Sequence, residues 1–356
     1  MDQETPEQKT SLEVSRRTAL TMAAKLGLGG AAMAAALRAG DVPAALAAGR
    51  SEALPKHNYS FVFVNHVTTN PFFTPTQYGA ADACQLLGCH YRWTGSAKSI
   101  VSEMVQAFQT AIASRADGIA VSIIDPHAFN APVASALAAG IPVVAYNADA
   151  PASSNNKRMA YIGQDLFLSG QQMGKRIVAH VASGSHIGLF IATPGSLNIQ
   201  PRIDGAIDSI KKSGKKITYD VIATGALLTD ERARVESYYL GHKSVKGLFA
   251  VDGGSTQSVA QVSAKYHLQK TKGVYTGGYD LLPGTISGIQ SGDMGFTIDQ
   301  QPYLQGFDPV VQLFLYKLSG TLMFPSPTDT GLKFVTKENV KPYLTKSRFE
   351  GTSTTV

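Results

Sequence analysis

Cysteine and tryptophan are nearly missing from this chain, with two Cys and one Trp among 356 residues. Two cysteines cannot build a disulfide scaffold or a Cys-rich zinc module. Histidine is scarce as well, and no two of the eight stand four residues apart, so the helical zinc motif is absent. Neither a P-loop nor a Gly-x-Ser-x-Gly string occurs. Charged residues make up only 16%, and the excess of 32 Lys+Arg over 26 Asp+Glu is spread thinly, in pairs such as Lys211-Lys212 and Lys215-Lys216. A nucleic-acid partner would need a basic stripe, and none is present. No apolar run reaches the roughly 20 residues that a membrane span requires. What is there is ordinary globular material: 44% hydrophobic residues, 34 Gly and 17 Pro. That excludes a disordered chain, a coiled coil and a collagen-like repeat. The length exceeds what one core usually organises, so two domains are expected.

Residues 1–47 are read as an export signal. Ser15-Arg16-Arg17-Thr18-Ala19-Leu20 has the twin-arginine form, and a weakly apolar Ala/Gly-rich stretch, Thr21 to Leu37, follows with Lys25 inside it. Ala45-Leu46-Ala47 offers small residues to a signal peptidase. Gly27-Leu28-Gly29-Gly30-Ala31-Ala32 fits a dinucleotide fingerprint formally, but no strand precedes it, so it is a decoy. No Cys lies near the cleavage point, so no lipid anchor is expected. The removed part would carry as many acids as bases, leaving the charge at +6. The expected product is soluble and periplasmic.

From residue 58 onward, strand-like and helix-like runs alternate. Ser60 to Val64, His90 to Trp93, Gly118 to Ile124 and Ile141 to Tyr146 read as strands, separated by helices. The rhythm restarts with helix Leu166 to Val181 and strand His186 to Ile191, and continues to a last short strand at Lys333 to Val335. Such alternation implies an α/β fold with two similar, doubly wound parallel-sheet lobes sharing a cleft. Cys84 and Cys89 flank Gly88 at a helix end, where a local disulfide and two small buried hydrophobes are both open.

In parallel sheets ligands bind beyond the carboxyl ends of the strands. Polar residues gather at those ends: Asn70 with Phe72 and Phe73, Asp125, Asn147 and Asp149 in the first lobe, and Arg202, Asp252, Asp280 and Gln300 in the second. Carboxylates and amides suit sugar hydroxyls, which donate and accept at once. Aromatic planes suit the C–H faces of a sugar ring. Asp and Asn after strands also serve as helix caps and turn formers. Agreement across seven strand ends argues against caps alone.

These residues carry a resemblance. The chain from Tyr59 to Val335 resembles the periplasmic sugar-binding proteins of ABC transporters, of the ribose-binding type. Asn70-Pro71-Phe72-Phe73 matches that family's Asn-Pro-Phe-Phe segment, whose aromatics sandwich the pyranose. Ile141-Pro142-Val143-Val144 matches the strand leading into the binding loop. Arg202 stands where the family has a ligand-holding Arg, Asp252 where it has a ligand-binding Asn, Asp280 at the Gly-Phe-Asp aspartate and Gln300 at the hinge Gln. Asn147-Ala148 departs from the family's Asp-Arg, which implies a hydroxyl pattern other than that of ribose.

The resemblance implies the type I periplasmic binding protein fold with a three-crossing hinge near Gly163, Gln300 and Met323 to Gly331. It divides the chain into an N-terminal lobe (58–163 plus 301–322) and a C-terminal lobe (164–300 plus 331–345). It implies a monomer without cofactor or metal that captures a small neutral sugar or polyol and delivers it to a permease and its ATPase. A sensory binder presenting the sugar to a membrane receptor would use the same site. A cytoplasmic repressor of this fold would begin with a helix-turn-helix, which is not what stands here. Asp252 and Asp280 as a glycosidase pair are set aside, because a hinged two-lobed cleft is a binding architecture rather than an enzyme's.

Overall fold

A computed structural model describes residues 54–345 and 348. The proposed export signal, with Arg16 and Arg17, lies outside the described residues. Elements alternate as the sequence implies. In the first lobe these are β1 (Ser60–Asn65), α1 (Thr74–Leu87), β2 (His90–Gly95), α2 (Val101–Ala113), β3 (Gly118–Val121), α3 (Asn130–Ala138), β4 (Val143–Tyr146) and β5 (Ala160–Gly163). The second lobe repeats the pattern with α4 (Leu166–His180), β6 (His186–Ile191), α5 (Gln200–Lys212), β7 (Thr218–Ala223), α6 (Leu228–Gly241), β8 (Gly247–Ala250) and α7 (Gly253–Tyr266). The short α8 (Leu268–Thr271), β9 (Tyr275–Tyr279), α9 (Pro283–Ser291) and β10 (Phe296–Asp299) complete it. The chain then returns through α10 (Leu304–Ser319) and two short strands, β11 (Thr328–Asp329) and β12 (Lys333–Val335).

Two six-stranded sheets result, in the orders β11-β5-β4-β3-β1-β2 and β12-β10-β9-β8-β6-β7. The central strands pair in parallel, and β12 runs antiparallel to β10. The strands β1, β3, β4, β8 and β10 are buried almost throughout, because helices cover both faces of each sheet. Apolar clusters therefore lie on both sides: in the first sheet Val62, Val64 and Val121 pack under α2 and α3, while Phe61, Phe63 and Val144 pack under α1 and α10.

Two strands were not anticipated. β5 is a four-residue AYIG run, and its partner β11 is a polar Thr-Asp pair. Pairing, not periodicity, makes them strands. β11 joins the first sheet and β12 the second, so the chain passes between sheets after β5, after β10 and between β11 and β12. The close approach of α4 and α5 explains two glycines. A methyl group on Gly170 would sit 2.3 Å from the Arg202 carbonyl oxygen, and one on Gly205 2.2 Å from that of Phe167. That approach sets Arg202 over the second sheet. At the end of α1, Gly88 takes φ 75° and the amides of Gly88 and Cys89 both bond the Cys84 carbonyl. The turn leaves Cys84 and Cys89 as buried free thiols.

Candidate functional site

The carboxyl ends of both sheets open on one cleft of about 530 Å³, open solvent at its mouth included. From the first lobe it gathers His66, Asn70, Phe72, Phe73 and Asn147; from the second, Asn198, Arg202, Glu231, Asp252 and Asp280; and from the crossing, Gln300.

Asn70 caps a 3-10 turn, its Oδ1 accepting from Phe72 N at 2.9 Å, which leaves its amide nitrogen as a donor. Asn147 sits at φ 63° and donates through Nδ2 to Gln305 Oε1. Arg202 is 2% exposed. Its Nη1 donates to the Val251 carbonyl at 2.9 Å, its Nη2 to Gln164 Oε1 at 3.2 Å, and its guanidinium stacks 4.1 Å from the Tyr279 ring centroid. Its Nε has no hydrogen-bond partner. Gln300 Nε2 donates to Asp280 Oδ1 at 2.7 Å and Gln305 Nε2 donates back to Gln300 Oε1, so an amide chain runs from Asn147 to Asp280 across the crossing. Burial pushes the Asp280 carboxyl up to about 7, against the pull of Arg202 and the Gln300 hydrogen bond.

Three expectations are corrected by this geometry. Asp125 faces no ligand space: its Oδ1 accepts from the amides of His127 and Ala128, both at 2.8 Å, as a turn former. Asp149 is turned away into an ion pair with Arg158, whose Nε donates to Asp149 Oδ1 at 2.6 Å. Phe72 and Phe73 cannot sandwich a sugar between them. Their centroids are 4.7 Å apart with planes at 79°, whereas a clasped ring needs parallel faces about 7–8 Å apart. Phe73 braces Phe72 from behind, against His66 and Trp93. Leu228 and Leu282 of the second lobe pack into the same apolar cluster as the two rings.

Asp252 lines the cleft, yet it is also the cap of α7: Oδ1 accepts from Ser255 N and Oδ2 from Ala192 N, each at 2.9 Å. Three further residues were missed. His66 bridges the lobes. Ser196 Oγ holds Asn198 Oδ1, so Asn198 Nδ2 faces His66 Nε2 at 3.0 Å and must donate to it. The ring proton is then on Nδ1, donating to Ser122 Oγ at 2.8 Å. Burial holds this imidazole down to about 3, so it stays neutral. A second tie between lobes is Leu197 N to the Ile124 carbonyl at 3.0 Å. Glu231, 1% exposed in the first turn of α6, completes the polar wall.

Residues 61–320 match the periplasmic binding protein domain family. The chain belongs to that family. This binding protein is 53% identical over 312 residues to the xylose/arabinose-binding protein XylF of Sulfolobus acidocaldarius, covering 85% of this chain and 77% of that protein. An ABC transporter solute-binding protein from Burkholderia graminis, solved in complex with D-arabinose, superposes with a TM-score of 0.73 at 26% identity, over 81% of this chain and 98% of that one. A carbohydrate transporter protein from Acidothermus cellulolyticus, solved with myo-inositol, shares the fold at a TM-score of 0.72 and 24% identity, over 83% of this chain and 100% of that one. Among the described residues no cluster of three His, Cys, Asp or Glu could hold a metal ion, and no helix is long and apolar enough to cross a membrane.

Proposed function

We propose that this binding protein captures a small neutral sugar, with a pentose as first choice, between its lobes and delivers it to an ABC permease without chemical change. The carrying observation is the convergence of polar atoms with unused bonding capacity, the Asn70 amide nitrogen from the first lobe and atoms of Arg202 and Asp280 from the second. Arg202 Nε is unpartnered, and Asp280 commits only Oδ1 to a protein hydrogen bond. A hydroxyl can accept from the first and donate to the second. The names of the relative that binds xylose and arabinose and of the arabinose complex favour a pentose. Arg202 is the sole cation among the lining residues, against Asp252 and Asp280, so a sugar acid or phosphate would bring like charge into desolvated space.

Delivery requires opening and closing, and the three crossings supply the hinge: Gly163, Gln300 and the stretch between β11 and β12. Ligand bonds to both lobes favour the closed form. In a thermal-shift screen of sugars, polyols and sugar acids, arabinose or xylose at 100 times its dissociation constant should add about 2.7 kcal/mol of stability. Small-angle scattering on the same sample should show compaction. Stabilisation by sugar acids alone, or a sugar bound without compaction, contradicts this reading. The protein is expected to act as a monomer.

Export is the second part. Arg16 and Arg17 precede a weakly apolar stretch and are read as routing the folded precursor across the cytoplasmic membrane. Replacing both with Lys should retain the precursor inside the cell. Unchanged export on fractionation rules out the twin-arginine route.

A further inference from the structure

Of the three acids that line the cleft, Asp252 caps a helix and Asp280 takes the amide of Gln300, while Glu231 has neither kind of partner. Glu231 is 1% exposed and lines the cavity. Its Oε2 accepts from no protein donor, and its Oε1 receives a long contact from Ser255 Oγ at 3.4 Å. The carboxyl fits because α7 begins with two glycines: a methyl group on Gly254 would lie 1.7 Å from Glu231 Oε2. Beside it stands Asp252, whose two oxygens each accept a backbone amide. The Ser255 amide belongs to the first turn of α7, and the Ala192 amide follows β6. Two buried carboxylates side by side cannot both ionise cheaply, which favours a proton on Glu231. Burial, the Asp252 charge and a hydrogen bond to the Asp252 side chain push the Glu231 carboxyl up to about 10.

We propose that Glu231 contacts the sugar directly and sets its specificity, turning the proton of its neutral carboxyl from Asp252 to a ligand oxygen. This rests on the sugar-binding reading and deepens it. Arg202 is a donor only, and Asp280 in its charged form is an acceptor only. A protonated carboxyl is the member of the set that matches a hydroxyl in both senses. It also lowers the negative charge of the cleft, which favours a neutral sugar over an amino sugar.

The test is calorimetry on the full protein with D-xylose, L-arabinose and their monodeoxy analogues, alongside E231Q and E231A. Glutamine keeps a neutral group with a donor, so E231Q should bind within about threefold of the unaltered protein. E231A should lose tenfold or more. For one deoxy position the penalty should be large in the unaltered protein and absent in E231A, which locates the hydroxyl that Glu231 meets. Melting curves identify any variant that fails to fold, and E231Q then carries the comparison through the same deoxy series. The inference is overturned if E231Q loses as much as E231A, or if every deoxy sugar carries the same penalty in variant and parent. If the unaltered protein binds no sugar, the sugar-binding reading falls, and this inference falls with it.

Discussion

Replacing Arg202 by alanine is expected to lower sugar affinity by 2–5 kcal/mol, roughly 30- to 5,000-fold. Arg202 is held from three sides: the Val251 carbonyl, Gln164 and the face of Tyr279 fix its plane. Its cost of ordering is therefore met before ligand arrives, and the fork is preorganised. Removing it takes away the donor from the cleft and the one cation that opposes the burial of Asp280. Both losses fall on the same ligand hydroxyls. Lysine should not rescue, because a single ammonium cannot reach Val251, Gln164 and ligand together or stack on Tyr279. The variant also leaves Gln164 Oε1 and the Val251 carbonyl without this donor, at about 1–3 kcal/mol for each buried group. Calorimetry on folded protein, checked by circular dichroism, decides the matter. Binding of Arg202→Ala within threefold of the parent contradicts the site as drawn.

The fold was largely legible because buried parallel strands announce themselves as apolar runs, as in the FVFV of β1 and the HIGLFI of β6. The strands that escaped, β5 and β11, are short and pair with each other across 166 residues of chain, so no local pattern announces them. At the site, residues that follow strands were readable from the switch-point rule. That rule cannot distinguish a carboxylate facing a ligand from one facing the backbone. Asp125 took the turn role, and Asp149 found Arg158, which is only nine positions on but is aligned with it by β5. Asp252 does both jobs. Glu231 gave no signal, since an acid in the first turn of a helix is what the helix dipole favours on any exposed helix. Only the packing of α6 against α7 places it in the cleft. His66 could have been suspected from its place directly after β1, but its partner Asn198 belongs to the other lobe.

Ligand-free protein should lose stability as pH rises from 5 to 9, against the usual expectation for carboxylates. Asp280 and Glu231 have carboxyls raised by burial, from 3.8 to about 7 and from 4.5 to about 10. Between the unfolded and folded values the folded state binds more protons than the unfolded one, so unfolding free energy falls with increasing pH. Stability is greatest below about pH 4 for these groups, declines through pH 7 for Asp280, and keeps declining toward pH 10 for Glu231. For Asp280 alone the full window is worth on the order of 4 kcal/mol. Acids held low by surface partners, such as Asp208 beside Gln171 and Lys212, act oppositely but only near and below pH 4. They are exposed and screened, so they do not mask the trend above pH 5. Groups around the site that bear on the two acids are Asp252 and Asp299, which raise, and Arg202, which lowers. His66 stays neutral throughout this range. Melting temperature should therefore fall by on the order of 5–10 °C between pH 5 and 9. E231Q should flatten the upper half of the curve and D280N the lower half. Sugar works against the slope, because a hydroxyl donating to Asp280 favours the carboxylate. The thermal shift caused by sugar should thus be larger at pH 8 than at pH 5. A melting temperature that climbs from pH 5 to 8, or profiles of parent and both variants that coincide, would show that these carboxyls are not held protonated in the cleft.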